Sequence, residues 1–319
     1  MSISRYLIFC TGILVLSCGE RPADQQDGTF DKEGTESQAP PEKPLPYPFP
    51  YRLNDPDDTF LLSHDLVEIS GLGLSDDGMH LLAVNDEDGY IFYLQPDNGE
   101  VAKRLKFSGP GDYEGIEMVD GTIFVVRSDG ALFEVVNPGQ EDQNPLIHKT
   151  FLTSEQDVEG LCHDPATGHL LLACKGKAGK GKDFKGKRAV YAFDLAAKLL
   201  LPEPRFLIDR EDLLLWAQEG HYSITRKFAE AFEPGLAADA FAPSGIAVHP
   251  LSKDYYILSS TGKKLVVLNT NGELLHIEPL APSLHRKPEG ICFFPDGTLF
   301  ISNEGKGGSA KLMRFGMRG

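Results

Sequence analysis

Three glutamates in this sequence each stand directly before a glycine and an aliphatic residue, at Glu114, Glu159 and Glu289. Carboxylate oxygens are ligands that Ca²⁺ and Mg²⁺ prefer in proteins. Three such groups brought together could hold one of these ions. A bound ion could then polarise an ester, lactone or phosphoryl oxygen, or activate water. This chemistry depends on whether the fold brings the three triplets to one place.

The triplets belong to a longer repeat, in which Ser70 and Ser244 stand at the corresponding position of two further units. Each unit continues with a short apolar stretch, a polar turn and a second apolar strand. The five units start 44, 45, 85 and 45 residues apart. A period of 40 to 50 residues built from short strands is typical of a β-propeller with one four-stranded sheet per repeat. Because the interval of 85 is close to twice the others, we count a sixth, degenerate unit and predict an all-β, six-bladed β-propeller.

The degenerate unit spans about Leu200 to Phe241. Its residues Ile224, Phe228 and Phe232 follow helical spacing, which predicts a short helical insertion laid over part of the propeller. We expect Trp216 to anchor this insertion rather than bind a ligand. The last repeat ends one strand short, and the stretch from Tyr51 to Ser63 is expected to supply that strand and close the ring.

In each unit the Ser or Glu starts the innermost strand, and the next strand runs back antiparallel to the same end. Residues that start the first strand and end the second should therefore meet at one mouth of the central channel. The predicted ligand-binding residues of this mouth are Ser70, Asn85, Asp86, Arg127, Lys175, Ser244, Ser259 with Ser260, Asn303 and Glu304, and the predicted metal ligands are Glu114, Glu159 and Glu289. A structural interpretation stays open, in which Arg127 and Lys175 neutralise the glutamates, or in which the glutamates accept backbone N–H groups from the neighbouring blade.

A basic segment from Lys175 to Arg188 begins at this mouth. Residues 176–182 match the phosphate-binding pattern GxxxxGK, but Asp183 stands where Ser or Thr must contact magnesium, and no long helix pattern follows. We interpret the segment as a basic loop that could attract a phosphate or carboxylate group. The sequence contains neither an HExxH nor a GxSxG motif, so zinc chemistry and a serine triad have no support.

The N-terminus has the pattern of an exported lipoprotein. Arg5 precedes an apolar run from Tyr6 to Leu16, which is too short to span a membrane, and Ser17 precedes Cys18. We predict a signal peptide over residues 1–18 with a lipidated Cys18, a disordered polar linker over 19–45, and the β-propeller over 46–319. The protein is then anchored in the bacterial envelope, at the outer membrane, facing the periplasm or the cell surface, and contacts the membrane through the lipid only.

The composition limits the partners. A net charge of −16 and a pI near 5.0 are the opposite of what a nucleic-acid binder needs. Cys162, Cys174 and Cys292 lie in apolar runs and are expected to be buried free thiols. A closed propeller is expected to be a monomer, with a small molecule or an envelope component as its partner.

Three stretches resemble the SdiA-regulated, YjiK-like propeller family. They are Glu68-Ile-Ser-Gly-Leu, the run CKGKAGKGKDFKGKRAVYAFD from Cys174, and the closing KPEGI and DGTLFISNEGKGG. The resemblance covers nearly everything after the linker. It implies a bacterial envelope propeller that can bind a metal in its central channel, and it implies no established reaction.

Two function classes follow. The first is a propeller that binds a small ligand, a metal ion or an envelope partner at the channel mouth. The second is a hydrolase of an ester, lactone or phosphoester that uses Ca²⁺ or Mg²⁺ held by Glu114, Glu159 and Glu289. We prefer the binding protein, because no nucleophile or general base has a position that the sequence forces.

Overall fold

The computed structural model describes residues 47–218 and 240–318, and these residues form four four-stranded and one five-stranded antiparallel sheet with one short α-helix. They belong to one compact unit, Pro46–Gly319. The five sheets are the blades of a β-propeller, so the all-β class is confirmed. The predicted signal peptide, Cys18 and the predicted linker lie outside the described residues. Within those residues, no helix is long and apolar enough to cross a membrane.

Four blades follow one another in chain order, each built from the inside outwards. Blade 1 comprises β2 (Ile69–Leu74), β3 (Leu81–Asn85), β4 (Tyr90–Leu94) and β5 (Val101–Lys106). Blade 2 comprises β6 (Tyr113–Val119), β7 (Thr122–Arg127), β8 (Leu132–Val136) and β9 (Asn144–His148). Blade 3 comprises β10 (Val158–Asp164), β11 (His169–Cys174), β12 (Lys187–Asp194) and two short outer strands, β13 (Leu199–Leu200) and β14 (Phe206–Asp209). Blade 4 comprises β15 (Ala242–Val248), β16 (Tyr255–Thr261), β17 (Lys264–Leu268) and β18 (Leu274–Pro279).

Blade 5 joins the two ends of the chain. Its inner strands are β19 (Pro288–Phe293), β20 (Leu299–Asn303) and β21 (Lys311–Phe315), and its outermost strand is β1 (Asp58–Leu61). The register pairs Thr59 with Met313 and Phe60 with Leu312. The N-terminal strand therefore supplies the strand that the last repeat lacks, as the sequence predicts.

The prediction of six blades is wrong. The interval of 85 residues holds one blade with an insertion, because β13 and β14 both pair with β12 as outer strands of blade 3. The inner strands of blades 3 and 4 are direct neighbours, since a Cβ added at Gly160 would lie 3.0 Å from the backbone N of Ile246. No room is left for a blade between them.

The described part of the insertion is α1 (Arg210–Gln218), which confirms a short helix in this region. Trp216 is partly buried against the apolar core shared by blades 3 and 4, and its ring meets His276 edge-on, with the ring centroids 6.1 Å apart. The expected role of Trp216 as an anchor agrees with this packing. The predicted helical stretch at Ile224–Phe232 lies outside the described residues.

Each pair of adjacent blades shares its own apolar core, including blades 5 and 1. Apolar side chains alternate along every strand, so one face of each sheet packs on the preceding blade and the other on the following blade. The three cysteines are buried within these cores as free thiols, as predicted. Burial of both sheet faces explains why the strands read as short, nearly continuous apolar runs in the sequence.

Close packing between neighbouring inner strands explains why glycine occupies the middle position of the repeated triplet. At Gly115 an added Cβ would lie 2.6 Å from the Cβ of Leu161, and at Gly290 it would lie 2.6 Å from the Cβ of Leu72. Both partners belong to the inner strand of the next blade. The same approach recurs in the other three blades, so five glycines form a ring around the channel at Gly71, Gly115, Gly160, Gly245 and Gly290. Only glycine lets five inner strands come this close together.

Candidate ligand site at the channel mouth

The three glutamates start the inner strands of blades 2, 3 and 5, and together they line one small cavity just above the glycine ring. Antiparallel pairing places the end of each second strand at the same level, for example Asn303 opposite Pro288 and Arg127 opposite Tyr113. The structure therefore brings the predicted first and second sets of residues to one end of the propeller. The cavity has a volume of about 10 Å³, which is near the smallest space that holds one water molecule.

Glu159 is held by a lysine. Its Oε1 lies 2.5 Å from Lys175 Nζ, and the Glu159 side chain is only 6% exposed. Burial raises the pKa of Glu159, while the charge and hydrogen bond of Lys175 oppose that rise. This pair is the neutralisation that the structural interpretation of the sequence describes.

Glu289 is held by a second lysine, which sequence reasoning missed. Lys287 Nζ lies 3.4 Å from Glu289 Oε1 and also pairs with Glu304. Burial raises the pKa of Glu289 to about 8, and the charge of Glu159 acts in the same direction, whereas Lys287 lowers it. Burial by itself lowers the pKa of Lys287, but the hydrogen bond to Glu304 and the two carboxylate charges raise it overall.

Glu114 forms no ion pair within the described residues. Burial raises its pKa to about 10, and the charge of Glu159 contributes next. A hydrogen bond with Asp112 and the charges of Asp112 and Glu289 act in the same direction. The surroundings of Glu114, with several other carboxyl groups, therefore favour its protonated form.

Arg127 does not neutralise Glu114, which corrects one of the pairings considered from the sequence. Its guanidinium binds Asp129 through two hydrogen bonds of 2.9 and 2.7 Å. Side chains alternate along β7, so the next residue faces the channel instead. Ser128 occupies that position, and its hydroxyl donates to Asp112.

The same alternation separates the other predicted mouth residues into two groups: those that face the acidic cluster and those that form hydrogen bonds away from it. Lys175, Glu304 and Asp86 face the acidic cluster. Ser259, in contrast, donates to the carbonyl of Ala242 within its own blade at 2.9 Å. Asn85 is also engaged locally, since its side chain donates to the carbonyl of Asp65 at 2.9 Å.

The two predicted serines of the triplets bind backbone. Ser244 donates to the carbonyl of Pro288 on the next blade at 2.8 Å and accepts the N–H of Ser260 at 3.1 Å. Ser70 makes one long hydrogen bond, 3.5 Å, to the carbonyl of Glu68. Ser244 is thus a link between blades 4 and 5.

Two buried polar groups of the mouth strands have no hydrogen-bond partner. These are the side-chain amide of Asn303, which is 2% exposed, and Oδ1 of Asp86. Burial raises the pKa of Asp86 to about 6, and the charges of Glu68 and Glu304 add to this effect. A buried polar atom without a partner is destabilising, and such atoms are concentrated where ligands bind.

The sequence contains a signal that could have identified Lys287 and the further acidic residues of the mouth. Lys287 lies two residues before Glu289, and residues two apart on a strand point to the same side. The same position carries an acid in three other repeats, namely Glu68, Asp112 and Asp157. With these three acids included, eight carboxyl groups lie around Lys175 and Lys287 at the mouth. They are Glu68, Asp86, Asp112, Glu114, Asp157, Glu159, Glu289 and Glu304.

The geometry of the carboxyl groups at the mouth decides whether they could hold a metal ion. Among residues 47–218 and 240–318, no three His, Cys, Asp or Glu side chains are arranged to hold a metal ion. Two of the three predicted ligands are already bound to lysines. The arrangement as it stands therefore does not fit a metal ion without displacement of a lysine or of the proton on Glu114.

Comparison with known proteins supports the fold. The glutaminyl cyclase of Myxococcus xanthus superposes with a TM-score of 0.52 at 10% identity, over 83% of this chain and 96% of that one. A luciferin-regenerating enzyme superposes with a TM-score of 0.48 at 12% identity, over 83% of this chain and 97% of that one. The virginiamycin B lyase of Staphylococcus aureus gives 0.42 at 12% identity, over 81% and 69%. Only the first of these similarities supports the fold, and none of them assigns an activity.

No protein-family model matches the chain, and no curated protein matches it by sequence. The resemblance to the SdiA-regulated family therefore stays a prediction.

Proposed function

We propose that this chain is a ligand-binding β-propeller whose acidic channel mouth takes a positively charged group. The observation that carries the proposal is the placement of Glu114: it lines the cavity with Glu159 and Glu289 and, alone of the three, forms no ion pair within the described residues. Loss of solvent and the surrounding carboxyl groups raise the pKa of this half-buried group. A cation beside Glu114 favours the ionised form and relieves the repulsion that raises its pKa. Binding of a cation is therefore linked to release of a proton.

The size of the cavity limits what can sit between the glutamates. A space of about 10 Å³ admits one ion or the tip of a larger ligand, not a whole organic molecule. The ligand is therefore either a small metal ion such as Ca²⁺ or Mg²⁺, or an organic molecule that presents an ammonium group while its body lies above the mouth. Both share the chemistry of a compact positive charge held by carboxylate oxygens.

We prefer binding to hydrolysis for a structural reason. The hydrolase alternative requires Glu114, Glu159 and Glu289 to hold one metal ion together, and Lys175 and Lys287 occupy two of them. Turnover of an ester, lactone or phosphoester by the metal-loaded protein, abolished in Glu289→Gln, would contradict this preference.

The test is the thermal unfolding of the full chain during titration with Ca²⁺, Mg²⁺ and a short diamine such as putrescine. A ligand that binds only the folded state raises the melting temperature as its concentration passes the dissociation constant. We expect a rise with at least one of these cations and its loss in Glu114→Gln. Glu155→Gln is the matched control, because Glu155 forms a solvent-exposed pair with Lys177 and does not line the cavity. No rise with any cation at millimolar concentration would refute the proposal.

The proposal includes a location in the cell envelope as a lipoprotein of the SdiA-regulated type. Its support is the signal-like pattern up to Cys18 and the polar segment 19–45 that follows. In a bacterial host we expect the chain to partition into the detergent phase with the membranes. Cys18→Ala is expected to remove the lipid and move the protein into the aqueous phase. Equal partitioning of the two proteins would exclude the lipid anchor.

A further inference from the structure

A second cavity of about 220 Å³ lies on the other side of the glycine ring. Its walls come from the residues that follow the triplet glycines on the inner strands, and from the turns after β15 and β19 at Pro250 and Pro295. All inner strands run in the same direction away from the mouth. The cavity is therefore at the opposite end of the channel, and partly exposed side chains such as Leu74 and Val248 form its edge.

The lining of this cavity is apolar except at one side. Leucine, isoleucine, valine, phenylalanine and proline side chains make up most of the wall. Glu117 is the only carboxylate among the lining residues, which include no lysine or arginine. The remaining ionisable groups are the imidazole of His163 and the thiols of Cys162 and Cys292. Apolar walls with one polar group that sets orientation are typical of small-molecule sites.

The propeller does not need a carboxylate at this level of the channel. The residues at the corresponding position of the other four inner strands, three places after the Ser or Glu of the triplet, are Gly73, Cys162, Ala247 and Cys292. Four of five blades therefore pack with a small uncharged side chain here. Glu117 is an addition specific to blade 2, and it lines the cavity of about 220 Å³.

The carboxylate of Glu117 is oriented but not neutralised. Oε2 accepts the backbone N–H of His163 at 3.0 Å, and Oε1 accepts that of Met118 at 3.1 Å. Each carboxylate oxygen can accept a further hydrogen bond. Burial raises the pKa of Glu117 to about 7, and the negative charge of Asp76 adds to this rise. No lysine or arginine lines the cavity to neutralise the ionised form of Glu117.

We propose that this cavity binds a small organic amine, with the ammonium group at Glu117 and an aromatic or branched aliphatic body against the apolar wall. A cavity of about 150 Å³ accommodates benzene. A volume of about 220 Å³ therefore has room for a ring and a short arm that reaches the carboxylate. None of the three mouth glutamates lines this cavity, and Glu117 does not line the cavity at the mouth.

The alternative role for Glu117 is structural. Its hydrogen bond to His163 joins blades 2 and 3, and a purely structural group would affect stability without selecting a ligand. A metal ion is a poorer occupant, because the part of the chain that the structure describes arranges no three His, Cys, Asp or Glu side chains for one. The two roles differ in one measurable property, which is discrimination between a charged and an uncharged ligand of the same shape.

The experiment is isothermal titration calorimetry of the full chain with phenethylamine, with 2-phenylethanol as its uncharged counterpart and phenylacetate as an anion. We expect the amine to bind at least about tenfold more tightly than the alcohol, because a charge-assisted hydrogen bond is the stronger kind. Phenylacetate is not expected to bind. Glu117→Gln is expected to reduce the affinity for the amine by about tenfold or more and to leave that for the alcohol unchanged.

Two further variants locate the site. Ala247→Leu adds a side chain to the cavity wall without changing a charge, so it is expected to abolish binding of both amine and alcohol even if Glu117→Gln folds poorly. Phenethylamine bound at the mouth instead would lose affinity in Glu114→Gln and keep it in Ala247→Leu, which separates this site from the one in the proposed function. The inference is overturned if phenethylamine does not bind at millimolar concentration, if amine and alcohol bind equally, or if Ala247→Leu has no effect.

Discussion

Lys175 Nζ lies 2.5 Å from Oε1 of Glu159, and this contact holds a nearly buried carboxylate at the start of an inner strand. The lysine comes from the residue after β11 and the glutamate from β10, so the pair closes one blade at the channel mouth. Lys287 plays the same part for Glu289 in blade 5. Blade 2 has no such lysine, and the pKa of its Glu114 is raised instead. The three glutamates are therefore unequal, and Glu114 is the one without an ion pair among the described residues.

Removal of the lysine tests the contribution of this pair to stability. In Lys175→Met, Glu159 would remain buried without its cation. Loss of one partner of a buried pair destabilises by about 3–5 kcal/mol, but the Lys175 side chain is 38% exposed, so we expect about 1–3 kcal/mol from urea unfolding. Lys177→Met, which breaks an exposed pair, is expected to change stability by less than about 1 kcal/mol. Recovery in Lys175→Met with Glu159→Gln would confirm the cause, and equal losses in the two single variants would contradict it.

Stability should depend on pH in the neutral range. Burial raises the pKa of Glu289 to about 8 and that of Glu114 to about 10, both from an ordinary value of 4.5. These groups bind their protons more tightly in the folded than in the unfolded chain. Their contribution to stability is complete below about pH 4.5 and is lost as the pH rises through the folded-state values.

We therefore expect the free energy of unfolding, measured in urea, to fall between about pH 6 and pH 9. Glu114→Gln keeps a neutral side chain of the same shape at every pH, so its profile should be flatter than that of the parent chain. A profile that rises over this range, or one that Glu114→Gln leaves unchanged, would show that the glutamates are not protonated in the folded state.

The glycine ring should tolerate no side chain. In Gly115→Ala the new Cβ would lie 2.6 Å from the Cβ of Leu161 and 2.8 Å from its backbone N, so two inner strands must separate. Overpacking of this kind typically destabilises by about 1–3 kcal/mol, and more where backbone has to move. Gly109→Ala is the control, because nothing lies within 4 Å of an added Cβ there and no change beyond about 0.5 kcal/mol is expected. Similar unfolding midpoints for the two variants would rule out a tight ring.

Closure of the ring should depend on the N-terminal strand. A chain that begins at Leu62 lacks β1 and Tyr51, whose hydroxyl donates to the carbonyl of Gly297 at 2.6 Å. It would expose the edge of β21, which is a site for aggregation. We expect a melting temperature lower by roughly 10 °C and association in size-exclusion chromatography, because a loss of several kcal/mol shifts a domain of this size by about that much. A chain that begins at Pro46 retains the strand and should behave as the full chain does.

The repeat itself could be recognised from sequence because it is a local pattern. Each triplet of Ser or Glu, then Gly, then Ile or Leu marks an inner strand, and all five units become blades. The number of blades could not be obtained from spacing. An interval of 85 residues is compatible with two blades or with one blade and an insertion, and only the direct contact of β10 with β15 distinguishes them.

The candidate site was predictable in position but not in its pairings. Strand alternation and antiparallel return placed Glu114, Glu159 and Glu289 at one end of the channel, and these are local rules. Which cation meets which carboxylate depends on side-chain reach across blades. Arg127 turns to Asp129, while Lys287 serves both Glu289 and Glu304.

The sequence by itself determined the fold class, the closing strand and the level at which polar groups converge, because periodic burial and strand pairing follow from the order of residues. The tertiary structure decided the count of blades, the unpaired state of Glu114 and the second cavity at Glu117. Each of these depends on distances between inner strands that are far apart in the chain. Those distances are set by five blades that pack against one another around the glycine ring. No single repeat contains the information that fixes this packing.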